Sequence, residues 1–262
     1  MKNRNYILTF IFLMTIFSYS CKHVSEESYG KIQFNFRFAV NGYSPRPDTI
    51  LYTNAAGNPY MISAVQYFIS NITLHKTDGS TFLLTKDGFS RYIDIEIPAT
   101  LSWLPTDAIP AGTYSSVSFT FGIKSSQNKS NMFVNPPQSY MWWPDMLGGG
   151  YHYMKLDGKW LPPSQTTGTP FNIHLGIGKA VDAITGDTTF VDNSFDVNLG
   201  FSTMSVHNET HNLNIIMNID SWFSTPNIYD FNVDGGAIME NQILLQKIKE
   251  NGYDVFSAQL VN

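Results

Sequence analysis

I-Q-F-N-F-R-F-A-V, running from Ile32 to Val40, alternates large apolar and polar side chains at every step. Ile32, Phe34, Phe36, Phe38 and Val40 share one face, and Gln33, Asn35 and Arg37 share the other. Successive side chains of a strand point to opposite sides of the sheet, so this period of two describes a strand with one buried face. Working outward, the same alternation returns at Val65 to Leu74, at Thr81 to Leu84 after the turn Thr77-Asp78-Gly79-Ser80, and at Tyr92 to Ile97. It returns again at Val117 to Ile123, Phe171 to Leu175, Phe195 to Phe201 and Leu213 to Ile219. Strands of this length separated by Gly, Pro, Asn and Asp turns, with no strand–helix rhythm, predict an all-β single domain, a β-sandwich or Greek-key barrel-like fold with long loops. One helix is expected near the C-terminus, from about Met239 to Asn251, with Leu244 and Ile248 four apart and Gly252 as a left-handed stop. It would cap the sandwich.

The chain begins differently. Lys2 and Arg4 precede a twelve-residue apolar run from Tyr6 to Phe17, and Ser18-Tyr19-Ser20 leads to the single cysteine, Cys21. A span needs roughly 20 apolar residues, whereas the apolar part of a secretion signal takes roughly 7–15. Residues 1–20 therefore read as an export signal. Cys21 resembles the lipid-modified cysteine of bacterial lipoproteins, with a relaxed lipobox because Ser18 and Tyr19 replace its leucine and small residue. On this reading residues 21–30 form a lipid-anchored linker and residues 31–262 the domain. The expected location is the cell envelope, as an outer-membrane lipoprotein facing the periplasm or the surface.

Composition narrows the function. With 16 basic and 21 acidic residues the chain lacks the positive field that draws nucleic acid. A single cysteine rules out an intrachain disulfide framework and any Cys-rich zinc site. Asp94 and Glu96 are two apart on one strand and read as exposed strand charges, because glycosidase carboxylates face each other from different elements. Asp182, Asp187, Asp192 and Asp196 fit no calcium-loop spacing. No nucleophile elbow, phosphate loop or reactive thiol is present, so a non-catalytic role is expected.

One block concentrates unusual chemistry. Met141 to Gly158, M-W-W-P-D-M-L-G-G-G-Y-H-Y-M-K-L-D-G, places Trp142, Trp143, three methionines, three consecutive glycines and His152 within 18 residues. Imidazole and thioether are ligands that suit copper, and His152 with Met141, Met146 or Met154 would make a soft donor set. In F-N-I-H-L-G, His174 falls with Asn172 on the face opposite Phe171, Ile173 and Leu175, which leaves its imidazole available. His207 and His211 form an H-x3-H pair, a good two-ligand spacing on a helix, although the neighbouring Asn and Thr predict a turn. His75 and His23 read as solvated. A second reading treats Trp142, Trp143, Trp160 and Tyr151 as an aromatic platform for a glycan or peptide, and a third treats the Trp/Gly block as a core plug.

Five pieces in order carry a resemblance: V-Q-Y-F-I-S-N-I-T-L (65–74), W-W-P-D-M-L-G-G-G-Y-H-Y-M-K-L-D-G (142–158), P-F-N-I-H-L-G (170–176), W-F-S-T-P-N-I-Y-D-F (222–231) and N-G-Y-D-V-F (251–256). Together they resemble the MbnP-like copper-binding family. The resemblance implies a secreted or lipid-anchored β-sandwich protein holding one copper ion, Cu+ or Cu2+, through histidines; the expected oligomeric state is a monomer. His174 matches the family's H-L-G histidine and His152 is the second candidate. Some relatives add kynurenine, an oxidised tryptophan produced with a haem-containing partner. Trp142 and Trp143 occupy that region with a spacing other than W-x-W. Ile177 to Ala180 reads I-G-K-A where many relatives have a cysteine, so their disulfide is absent.

Overall fold

A computed structural model of the chain describes residues 28–46 and 48–261, so the expected signal, Cys21 and His23 lie outside the described residues. The strands are β1 (Tyr29–Ala39), β2 (Tyr52–Thr53), β3 (Pro59–Lys76), β4 (Thr81–Leu83) and β5 (Ser90–Asp94). They continue as β6 (Ser102–Trp103), β7 (Ile109–Pro110), β8 (Gly112–Phe121), β9 (Met154–Trp160) and β10 (Thr169–Leu175). The last are β11 (Gly178–Val181), β12 (Thr188–Val191), β13 (Phe195–Val206), β14 (Thr210–Asn218) and β15 (Phe256–Val261), with short helices α1 (Phe231–Asp234) and α2 (Gln242–Asn251). One sheet runs β15-β14-β1-β6, with β7 also on β1, and the other runs β10-β9-β3-β8-β13, with β2, β4 and β5 on β3. The expected all-β sandwich is found, and its sheets do not close into a barrel. Among the described residues no helix is long and apolar enough to cross a membrane.

β1 behaves as its alternation demands. It pairs in parallel with β14, which sets Phe34 beside Leu213, Phe36 beside Ile215 and Phe38 beside Met217, and all six side chains are buried. Rings from the two sheets meet between the layers: Tyr67 lies 6.0 Å from Phe38 and 5.9 Å from Phe256, and Phe119 meets Phe256 edge-on at 5.4 Å. Such pairs add roughly 0.5–1.5 kcal/mol each beyond burial of their area.

β3 is the spine of the larger sheet. Its first half pairs with β9 and its second with β8. A register shift between Ser70 and Thr73 surrounds Asn71, whose φ is 55°. The extra residue moves the buried set from Val65, Tyr67 and Ile69 to Ile72 and Leu74, so the core face is kept across the bulge.

Three expectations need correction. α2 starts at Gln242, because the Asn241 side chain accepts hydrogen bonds from the backbone of Ile243 and Leu244 and so fixes the N-terminus there. Gly252 is not a left-handed stop: its φ is −63° and the chain continues into a 3-10 turn, Gly252–Asp254. Its lack of a side chain serves packing, since a Cβ there would come within 2.2 Å of the Phe195 ring. Asp94 is buried, not a surface charge: its carboxylate accepts from the Tyr92 hydroxyl at 2.7 Å and from Gln66 at 3.1 Å.

Candidate metal centre

The Trp/Gly block folds as a small antiparallel excursion beside β9. The Met141 carbonyl accepts the His152 backbone N–H at 2.7 Å, Trp142 bridges Tyr151, and Trp143 N–H donates to the Gly150 carbonyl at 2.9 Å. The tip is a tight turn in which Leu147 and Gly149 both donate to the Pro144 carbonyl. Gly148, Gly149 and Gly150 all hold positive φ, at 114°, 69° and 83°. Three such residues in a row are accessible only without Cβ atoms, and that is why the sequence carries G-G-G there.

This return path turns Trp143 inward, where it is fully buried and its indole N–H donates to the Leu147 carbonyl at 3.2 Å. The ring lies over Gly176, the glycine of H-L-G, where a Cβ would approach it to 2.6 Å. Gly176→Ala is therefore expected to destabilise the domain by about 1–3 kcal/mol, as overpacking does. A urea midpoint unchanged from wild type would show that the contact relaxes freely.

Trp143 in turn positions His152, whose ring meets it edge-on with centroids 4.7 Å apart. His152 is 4% exposed. Its Nδ1 lies 2.9 Å from the Met141 carbonyl oxygen, which can only accept, so Nδ1 carries the proton. Nε2 is then a bare acceptor, and it is buried without a hydrogen-bond partner. Burial, then the nearness of His174 and Lys155, push the imidazole pKa down to about 3. It is neutral at ordinary pH.

His174 comes from β10, the neighbour of β9. The register sets His174 opposite Lys155, Asn172 opposite Asp157 and Leu175 opposite Met154. His174 thus stands on the face predicted for it, away from buried Phe171, Ile173 and Leu175. Its Nε2 lies 2.8 Å from Asp157 Oδ1. Burial would raise the Asp157 pKa, but the bond and charge of His174, the Asn172 amide and Lys155 outweigh it and hold the group below the usual carboxylate range. The two histidine rings are 5.1 Å apart at their centroids and nearly perpendicular, at 83°. Two imidazoles that bond one ion at about 2.0–2.1 Å have centroids no more than roughly 6 Å apart, so this separation admits a shared ion. The donor chemistry fits copper: neutral imidazole, a desolvated lone pair, and outer acceptors that fix each ring.

The other candidates are dispersed. Met154 lies on the opposite face of the sheet from His174, because it is paired with core residue Leu175. Met141 is buried in the core and contributes its carbonyl to the site, and Met146 is exposed at 68%. Trp142 is half-exposed. His207 hydrogen-bonds Ser28 at 3.2 Å, while His211 is in β14 and lies 3.6 Å from Glu209. His75, expected to be solvated, contacts Ser118 Oγ at 2.7 Å. Among the described residues no group of three or more His, Cys, Asp or Glu gathers as a metal cage. The aromatic platform does not form, since Trp143, Tyr151 and Trp160 are buried in the core.

Asp157 and Lys155 are the site residues that the sequence reading missed. A strand assignment for Met154–Trp160 would have found them, because it puts both on the His174 face. Lys155 Nζ donates to the Tyr140 carbonyl at 2.6 Å, tying the loop before Met141 to the strand beneath it.

A family model described as MbnP matches residues 29–240, most of the chain. Among solved structures, MbnP from Methylosinus trichosporium superimposes with a TM-score of 0.56 at 13% identity, covering 88% of this chain and 99% of that one. At that identity the likeness shows a shared fold alone. None of the curated proteins compared with the chain matches it. With a sandwich of the same fold and a family match from β1 through the glycine block and β10 to the segment before α2, the chain belongs to the MbnP family.

Proposed function

We propose that this protein binds one copper ion between His152 and His174 and scavenges, stores or hands over copper at the cell envelope without turnover, anchored there through Cys21. The observation that carries the reading is the buried, unpartnered Nε2 of His152 beside the His174 ring. A buried polar atom without a partner typically costs about 1–3 kcal/mol, and a ligated ion is one partner that removes this cost. Each imidazole is tied down through one ring nitrogen, so binding at the other would require little reorganisation. Membership of the MbnP family supports the same reading.

The test is a titration of the purified protein with Cu(I) and Cu(II) against a chelator of known affinity. One equivalent is expected to bind. His152→Ala and His174→Ala should each weaken binding by more than the roughly 10–100-fold that loss of an outer partner costs. Absence of stoichiometric uptake, or wild-type affinity in both variants, would end the proposal.

A further inference from the structure

The two candidate ligands are held by different ring nitrogens. In His152 the Met141 carbonyl takes the Nδ1 proton and leaves Nε2 bare. In His174 the 2.8 Å contact to Asp157 engages Nε2, and Nδ1 makes no hydrogen bond among the described residues. The same Asp157 oxygen accepts from the Asn172 amide, and a carboxylate oxygen set between two nitrogens accepts from both. The proton of a neutral His174 must then be on Nε2.

We infer that Asp157 is a positioning residue: it fixes His174 as an Nδ1 donor while the Met141 carbonyl fixes His152 as an Nε2 donor, so that the pair offers one lone pair of each kind to a single ion. The affinity consequence rests on the copper reading above; the assignment of protons does not. Asp157 is itself held in place. Its Oδ1 also accepts the Asn172 amide at 2.5 Å, and Asn172 is anchored by its backbone N–H to the Gly236 carbonyl at 2.6 Å. The tether therefore runs from the segment after α1, through the edge strand β10, to the carboxylate on β9. A carboxylate behind a metal-bound imidazole fixes the tautomer and ring orientation and raises the ligand's basicity, which is why removing one costs affinity although it never touches the ion.

Two measurements test this. Long-range ¹H–¹⁵N correlation spectra of the metal-free wild-type protein should show His174 protonated at Nε2 and His152 at Nδ1. In the copper titration, Asp157→Ala should still bind one equivalent but roughly 10–100-fold more weakly, with the His152 tautomer unchanged. Asp157→Glu should recover part of the loss. Near-UV circular dichroism confirms that the variants are folded, and the wild-type spectrum decides the tautomers even if they are not. A proton on His174 Nδ1 in the wild type overturns the inference, as does an Asp157→Ala affinity within twofold of a copper-binding wild type. If the wild type takes up no copper, the copper reading and the affinity consequence both fall, and the metal-free spectrum still decides whether Asp157 sets the ring.

Discussion

Trp143→Ala is expected to destabilise the domain by about 3–5 kcal/mol, the usual cost of deleting a large buried ring. Trp143 has no exposed surface, packs against the Gly176 backbone, and is one of the largest fully buried side chains. Collapse onto the void is resisted, because the glycine turn is held by the Pro144 carbonyl and Gly176 by the buried Asn193 amide, which donates to its carbonyl at 3.0 Å. Against a typical total stability of roughly 5–15 kcal/mol this is a large fraction. Urea unfolding followed by circular dichroism reads it directly, and a loss below about 1 kcal/mol would be inconsistent with the packing described. The same variant should loosen His152, whose ring has Trp143 as its edge-on neighbour. Trp143→Phe, which keeps an aromatic wall, should cost less in both respects.

Acid should destabilise the metal-free protein through His152. In the unfolded chain its imidazole takes a proton near pH 6.5, but in the fold it does so only near pH 3. Between those values the unfolded state binds more protons, so stability falls as pH falls, by about 1.4 kcal/mol per unit. The contribution is intact above about pH 6.5 and is on the order of 3 kcal/mol smaller by pH 4. The groups facing His152 are His174 and Lys155, both of which oppose its protonation, and the backbone of Met141 and Trp142, which favours it without outweighing burial. His152→Gln keeps an amide that can donate to Met141 and lacks the titrating ring. Its stability between pH 7 and pH 4 should therefore decline less steeply than that of the wild type. Equal slopes would show that His152 is not the group responsible.

Much of the sandwich could be read directly from the residues. Strands with one wet face announce themselves by period two, and β1, β8, β10 and β14 follow it closely. β9 could not be read so. Its alternation is short, Gly158 interrupts it, and it follows a run of aromatics and glycines that belongs to a turn. Gly158 is demanded by contacts far away in sequence: a Cβ there would meet the Met61 carbonyl oxygen at 2.0 Å and the Phe171 ring at 2.5 Å. β15 was equally hidden, because F-S-A-Q-L-V becomes a strand only when β14 supplies its hydrogen bonds. Several motif pieces that carried the resemblance prove to be structural. Trp222, Phe223, Tyr229 and Phe231 are core, and Asn251 ties α2 to the Trp222 and Asn227 carbonyls at 2.9 and 2.7 Å.

By itself the sequence determined the fold class, the outward face of His174 and the turn chemistry of G-G-G, because each depends on neighbours along the chain: alternation, side-chain volume and backbone freedom. Only the tertiary structure decided that His152 and His174 stand ring to ring. That proximity is created by the β9–β10 register and by the hairpin that folds Met141 back over His152, and it is set by hydrogen bonds between residues distant in sequence. The same packing separated Met154 from the site by placing it one residue out of phase with Asp157 and Lys155, on the far side of a sheet whose two faces alternate strictly.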